Sequence, residues 1–216
     1  MRVFHSTTSK VQGGQLEAAI ALAGEAAKLL GAHGGEIRFF TAGAAGEEVN
    51  STLFSQEYES PDALATAFDA LNADVELQAL LNRLNGSQSP IVMTSQSMGM
   101  EMLTGHTPKA GRGRILEVHT LRVTPGRTEE AVADSAEACA FVEANGAVNA
   151  RLIQLTYAGL ASGLMAFTCE HENMRSQARV GEAWLTDEGM AIQVKSMGAN
   201  PATTRVMSAL YTEIPL

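Results

Sequence analysis

The chain has 216 residues, a formal net charge of −9, and 45% hydrophobic against 18% charged residues. That is enough chain to bury one large core or two small ones, and the balance excludes a disordered or collagen-like polypeptide. An acidic chain without a clustered Lys/Arg stripe has no electrostatic grip on nucleic acid or on an anionic membrane, so neither is expected as a partner.

In chain order, Val3 to Thr8 is a short β-branched strand. Gly14 to Leu30 places Leu16, Ala19, Ile20, Ala23, Ala27 and Leu30 at helical spacing, and Gly31, Gly34 and Gly35 end the helix. Glu36 to Thr41 and Thr52 to Glu59 read as strands joined by the small-residue loop AGAAGEEVN. Ser60 is an N-cap and Pro61 a first-turn proline for a second helix running through Leu64, Phe68 and Leu71 toward Leu80, with a weak point at Asn72 to Asp74. Pro90 precedes the strand Ile91 to Met98.

The segment Leu103 to Arg114, LTGHTPKAGRGR, mixes Gly, Pro and basic residues with no apolar period, and it divides the chain. Residues 1–103 form a first unit, 104–114 a linker and 115–216 a second unit. The second unit's strands are Ile115 to Val123, Ala150 to Thr156, Leu164 to His171 and Thr204 to Thr212, and its helices are Arg127 to Ala144 and Met174 to Val194. A shift of 113 residues superposes Arg38 on Arg151, Phe54 on Phe167, Glu57 on Glu170 and Asp74 on Asp187. The predicted elements fall in the same order on both sides, which points to a repeated module.

Each unit reads βαββαβ, an α+β arrangement with both helices on one face of an antiparallel sheet. The expected fold is therefore two tandem ferredoxin-like units whose sheets pack face to face as an intramolecular α/β barrel. No apolar run reaches the roughly 20 residues of a bilayer span, and MRVFHSTTSK lacks an apolar signal core, so a cytoplasmic location is expected. Cys139 and Cys169 read as buried reduced thiols. The five histidines, at 5, 33, 106, 119 and 171, are scattered singly, so no metal site is expected. AGAAGEEVN and AGLASG are phosphate-loop-like in composition only, because each joins two strands rather than a strand and a helix.

The run ILEVHTLRVTPGR, Ile115 to Arg127, is similar to the first strand and turn of NIPSNAP-like members of the dimeric α/β barrel superfamily. Glu57 to Ala63 with Leu71 to Asp74, and its partner Glu170 to Asp187, resemble the third strand and second helix common in that superfamily, which includes antibiotic-biosynthesis-monooxygenase-like proteins. The resemblance spans nearly the whole chain and implies a pocket between the sheets, in a superfamily of monooxygenases, isomerases, haem enzymes and proteins without known chemistry. Trp184 is similar to a helical Trp of haem-degrading members, but Met174 to Val194 contains no His, and no cofactor is expected.

Alternation groups Glu117, His119 and Leu121 on one face and the more apolar Leu116, Val118 and Thr120 on the other. The apolar set is expected against the helices, so Glu117 and His119 are expected in the pocket as an acid–base pair, with Phe4 and Ser6 as their first-unit counterparts. His5 then falls on the helix side, unless the register slips by one. Arg38 and Arg151 are candidate substrate-binding guanidiniums, or structural partners of Glu57 and Glu170. Tyr211, Gln96 and Met98 are further candidate pocket residues. The expected function is an enzyme for a small apolar or aromatic oxygenated molecule, such as a cofactor-independent monooxygenase or isomerase. The alternatives are a noncatalytic ligand-binding or stress-associated protein and, third, a haem protein. Outer strand edges and helices leave self-association to a homo-oligomer open.

Overall fold

The computed structural model describes residues 1–44, 50–197 and 200–216. Residues 45–49 of the loop AGAAGEEVN lie outside the described residues. The fold is α+β. Eight strands, β1 (Val3–Val11), β2 (Glu36–Ala44), β3 (Ser51–Tyr58), β4 (Ile91–Glu101), β5 (Ile115–Val123), β6 (Val148–Tyr157), β7 (Met165–His171) and β8 (Thr203–Ile214), form one closed antiparallel barrel. Six helices accompany them: α1 (Leu16–Gly31), α2 (Pro61–Asn72), α3 (Val75–Leu84), α4 (Thr128–Ala144), α5 (Met174–Ala183) and α6 (Asp187–Met197). No helix among the described residues is long and apolar enough to cross a membrane.

Around the barrel the strands run β1-β3-β2-β8-β5-β7-β6-β4. Residues 3–101 thus supply one contiguous arc and residues 115–214 the other, and the arcs meet at two seams, β2 with β8 and β4 with β6. Three cores follow. Two lie between sheet and helices, around Tyr58, Leu71 and Leu80 in the first half and around Val142, Leu152 and Val180 in the second. The third, Phe40, Ala209 and Tyr211 with Leu53, Leu116 and Val118, lies on the barrel's inner wall.

Local chemistry accounts for the helix boundaries. The Ser60 hydroxyl accepts the Ala63 N–H at 3.0 Å with Pro61 in the first turn, as the sequence predicts. Asp74 caps α3, accepting the N–H groups of Glu76 and Leu77, so the weak point at Asn72 to Asp74 is a true break. The single helix expected over Met174 to Val194 is instead two, α5 and α6. A Cβ on Gly189 would lie 2.4 Å from the Ala183 carbonyl oxygen and 2.6 Å from Trp184 Cα, so the chain folds back on itself there. Thr186 holds that corner by donating to the Ala183 carbonyl and accepting the Gly189 N–H. Trp184 packs on Phe141, ring centroids 4.5 Å apart, as part of the second-half core.

The largest departure from the sequence reading concerns register. Glu36 and Arg38, two residues apart, pair with Glu57 and Ser55, whereas Val148 and Arg151, three apart, pair with Glu170 and Thr168. The additional residue makes a β-bulge in β6, where Asn149 adopts a left-handed backbone with φ 54°. A 113-residue shift therefore holds beyond the bulge, but before it the halves correspond at 112: Phe4 pairs with Glu57 and Leu116 with Glu170. One residue of slip turns β5 over. Leu116, Val118 and Thr120 face the barrel interior, and Glu117 and His119 face away from it.

Closure at the second seam depends on Gly99, beside the irregularity where β4 meets β6. A Cβ there would lie 2.6 Å from Ile153 Cγ2 and 2.9 Å from the Gln154 carbonyl oxygen. Gly99→Ala is expected to destabilise the fold by about 1–3 kcal/mol through this overpacking, read as a lower denaturant midpoint with an unchanged m-value.

Candidate functional site

The barrel encloses a cavity of about 680 Å³. Its walls combine Phe4, Phe40, Leu53, Leu116, Val118 and Ile153 with the hydroxyls of Ser6, Ser55, Thr120, Thr168 and Tyr211. At one end the lining residues Thr94, Ser95, Gln96 and Leu160 are exposed, so this end is the mouth.

The other end is closed by charge. Glu57 accepts Arg151 Nη1 at 2.9 Å and Arg112 Nη2 at 2.6 Å, and it also pairs with Arg2. Glu170 pairs with Arg38 Nη1 at 2.8 Å and Arg112 Nη1 at 3.0 Å and accepts the Gly113 N–H and the Asn149 amide. Asn149 in turn accepts Arg151 Nε at 2.6 Å, so the bulge residue is part of the network it makes room for. Arg38 also makes a two-point contact with Glu213, at 2.9 and 2.8 Å, and donates to the Gly113 carbonyl. Burial alone would raise the Glu57 carboxyl. Hydrogen bonds from Arg2 and Arg112 and the charges of Arg112 and Arg151 outweigh it and hold Glu57 below the usual carboxylate range.

Of the candidate binding residues, Arg38, Arg151 and Tyr211 line the barrel cavity, Gln96 lines it and also the second cavity described below, and both arginines are engaged by carboxylates. Met98 does not line it: it packs on the first-half core beneath the helices. His119 and Glu117 stand outside the barrel, on the helix-facing side, for the register reason given above. There His119 Nε2 meets Glu117 Oε1 at 2.8 Å, His171 Nε2 meets Glu117 Oε2 at 2.9 Å, and Cys169 Sγ lies 3.5 Å from His171 Nε2. The reading of scattered single histidines is thus corrected, since Cys169 and His171 alternate on one face of β7 and Glu117 lies directly across from Cys169 on β5. Both cysteines are buried and unpaired, and burial pushes the Cys139 thiol up to about 12.

A second cavity, of about 290 Å³, lies between the first-half sheet and its helices, lined by Leu22, Ala23, Phe39, Phe54, Phe68 and Leu77 with His5 and Gln56. His5 faces the helices, as the sequence predicts, edge-on to Phe68 with ring centroids 5.8 Å apart. Tyr58 donates to Gln56 Oε1 at 3.2 Å, which turns the Gln56 amide nitrogen toward His5 Nδ1 at 2.8 Å. An imidazole that accepts at Nδ1 carries its proton on Nε2. Burial pushes His5 down, against the Gln56 hydrogen bond, which favours this neutral form. His5, Gln56 and Tyr58 occupy the framework positions that Glu117, Cys169 and His171 occupy in the second half.

Sequence reasoning missed Arg112, Asn149 and Gln56. Arg112 sits in a segment with no periodicity, Asn149 acts only through the bulge, and Gln56 has no motif beyond its alternation with Tyr58.

No family model matches the chain, and no curated protein matches it. Solved structures match over nearly its whole length. A protein provisionally named a monooxygenase, from Lactobacillus acidophilus NCFM, is 11% identical with a TM-score of 0.61, covering 99% of this chain and 93% of that one. An anthrone oxidase-like protein is 14% identical with a TM-score of 0.61, covering 99% and 92%. A chlorite dismutase from Candidatus Nitrospira defluvii is 12% identical with a TM-score of 0.56, covering 99% and 92%. What these structures share with this chain is its overall α+β fold.

The charged floor predicts an acid-sensitive fold. Glu57→Gln leaves Arg151 and Arg112 short of a buried counter-charge and is expected to cost about 3–5 kcal/mol by denaturant titration. The folded carboxyl titrates below its ordinary value of 4.5, so Glu57's contribution is complete above that pH and is lost as pH falls through the depressed folded value. Stability of the wild type should therefore fall more steeply below pH 4.5 than that of the variant.

Proposed function

We propose that this chain is a small-molecule oxidative enzyme whose chemistry takes place in the apolar first-half cavity, with His5 as the polar group that meets the substrate. The carrying observation is the relay from Tyr58 through Gln56 to His5, which leaves a neutral Nε2–H on an imidazole that lines a mostly apolar cavity beside Phe39, Phe54 and Phe68. Such a donor suits a carbonyl or phenolic oxygen on an aromatic molecule. It strengthens its hydrogen bond as that oxygen gains negative charge, stabilising the enolate or phenolate form in dry surroundings. The electron-rich anion then reduces dioxygen. For an anthrone, the ring CH2 is oxidised to C=O and O2 supplies one oxygen atom to the product and one to water. Structural likeness to an anthrone oxidase-like protein and to proteins provisionally named monooxygenases supports this reading.

A second reading is favoured by the size of the barrel cavity. There Arg38, Arg151, Tyr211 and Gln96 would bind a guest, and the protein would hold it without turnover. We further read residues 1–103 and 115–216 as two units of one repeated module, joined by 104–114.

Oxygen consumption and quinone formation with anthrone as the probe separate the readings. His5→Ala is expected to lower kcat/KM by about 10²–10³-fold, the effect of losing one donor to a developing oxyanion. Ala23→Phe, which fills the apolar cavity, should also abolish turnover, and Val118→Trp, which fills the barrel, should spare it. Full activity in His5→Ala sinks the first reading. Binding without oxygen uptake, lost in Val118→Trp, establishes the second.

A further inference from the structure

We propose that Glu117, Cys169 and His171 form a binding site for a first-row transition-metal ion, with zinc(II) the best match, on the helix-facing side of the second half. The topology assembles the three ligands. Glu117 on β5 is directly opposite Cys169 on β7, His171 is the next same-face residue along β7, and the bulge in β6 leaves this pairing in register. Their ligand atoms all lie within 4.8 Å of one another. A tetrahedral ion with bonds of about 2.0–2.3 Å requires ligand-to-ligand edges of about 3.3–3.6 Å. The 3.5 Å between Cys169 Sγ and His171 Nε2 is already such an edge, and the 2.9 Å between His171 Nε2 and Glu117 Oε2 needs only a small opening. The ion takes the place of the proton those two atoms share.

The donor set is selective. Thiolate and imidazole beside one carboxylate suit a borderline ion and disfavour magnesium or calcium, which require oxygen ligands. The ligands are also held in place. Cys169 and His171 are on a central strand with 1% and 0% exposure, and the Gly113 backbone lies so close that a Cβ there would be 2.4 Å from the His171 carbonyl oxygen. His119 bonds the second oxygen of Glu117 at 2.8 Å and is itself fixed by Ser208 at 2.8 Å, the outer contact that orients a ligating carboxylate. Glu117 and His119 are each 16% exposed, so solvent can reach this side of the site and supply a water as the fourth ligand.

One feature limits affinity. A metal on Nε2 moves the imidazole proton to Nδ1, and His171 Nδ1 is buried with no hydrogen-bond partner among the described residues. The missing outer contact costs about 10–100-fold in affinity, so the site is expected to be exchangeable, with a Kd of about 1 µM rather than that of a permanent structural zinc.

The full chain, freed of tags and stripped with chelator, is titrated with Zn(II) and, separately, Co(II). About one equivalent of zinc should bind, and the cobalt form should show a thiolate-to-cobalt charge-transfer band. Cys169→Ser should remove the band and weaken zinc binding at least 10-fold, whereas Cys139→Ser, at the other buried thiol, should keep both. Glu117→Gln, at a partly exposed position, tests the site without touching the core and should also weaken zinc at least 10-fold. Binding of less than about 0.1 equivalent at 100 µM free zinc overturns the assignment. So does a charge-transfer band that survives in Cys169→Ser, or unchanged affinity in Glu117→Gln. None of these readouts involves turnover, so they stand apart from the fate of His5.

Discussion

The buried glutamate of each barrel arc draws counter-charge from the other arc. Glu57, near the end of β3 in the first half, takes Arg151 from the second, and Glu170, near the end of β7 in the second, takes Arg38 from the first. Arg112, from the segment joining the halves, bridges both carboxylates. A carboxylate buried beside apolar walls without a counter-charge costs several kcal/mol, so the partners that Glu57 and Glu170 take across the seams favour one register of the two halves. Hydrophobic contact on the inner wall, Phe40 and Tyr211 against Leu53, Leu116 and Val118, supplies attraction but tolerates sliding. The ionic floor does not, which makes the network a device of specificity rather than of net stability.

The joining segment is accordingly packed rather than free. Gly113 donates its N–H to Glu170 and its carbonyl accepts Arg38 Nη2. Glu143 on α4 accepts the Lys109 N–H and meets His106 Nε2 at 3.0 Å. A segment that reads in sequence as Gly, Pro and basic residues without a period is, in the fold, the cap of the barrel's closed end. Its arginine could be interpreted only after the two glutamates were known to converge.

Periodicity and capping made the order of elements legible, and the matched Arg/Glu positions made the floor visible as a possibility. What sequence could not supply was the face of β5. Alternation identifies a buried face when the other face meets water, but every strand of this barrel has helices or core on one side and the cavity on the other, so both faces carry apolar residues. The decisive signal was a single inserted residue at Asn149, whose left-handed backbone is open to Asn but not diagnostic of it. A uniform shift of the two halves passes over such a bulge and matches Phe4 and Ser6, which line the barrel, with Glu117 and His119, which do not. The same blindness hid Cys169 and His171, which become neighbours of Glu117 only once β5 is turned over.

Closure of the floor also explains why the two halves carry different side chains on the helix-facing side. Positions facing the barrel's closed end must complement one another across the seams, so Arg38 and Arg151, and Glu57 and Glu170, are alike. Positions on the helix-facing side stand away from the ionic floor and are free of that constraint. At the same three framework positions the first half therefore holds His5, Gln56 and Tyr58 around an apolar cavity, and the second holds Glu117, Cys169 and His171 in a compact cluster. A neutral donor facing a cavity and a convergent set of metal-ligand atoms are two outcomes of one geometry. They differ because nothing in the closure of the barrel requires these positions to agree.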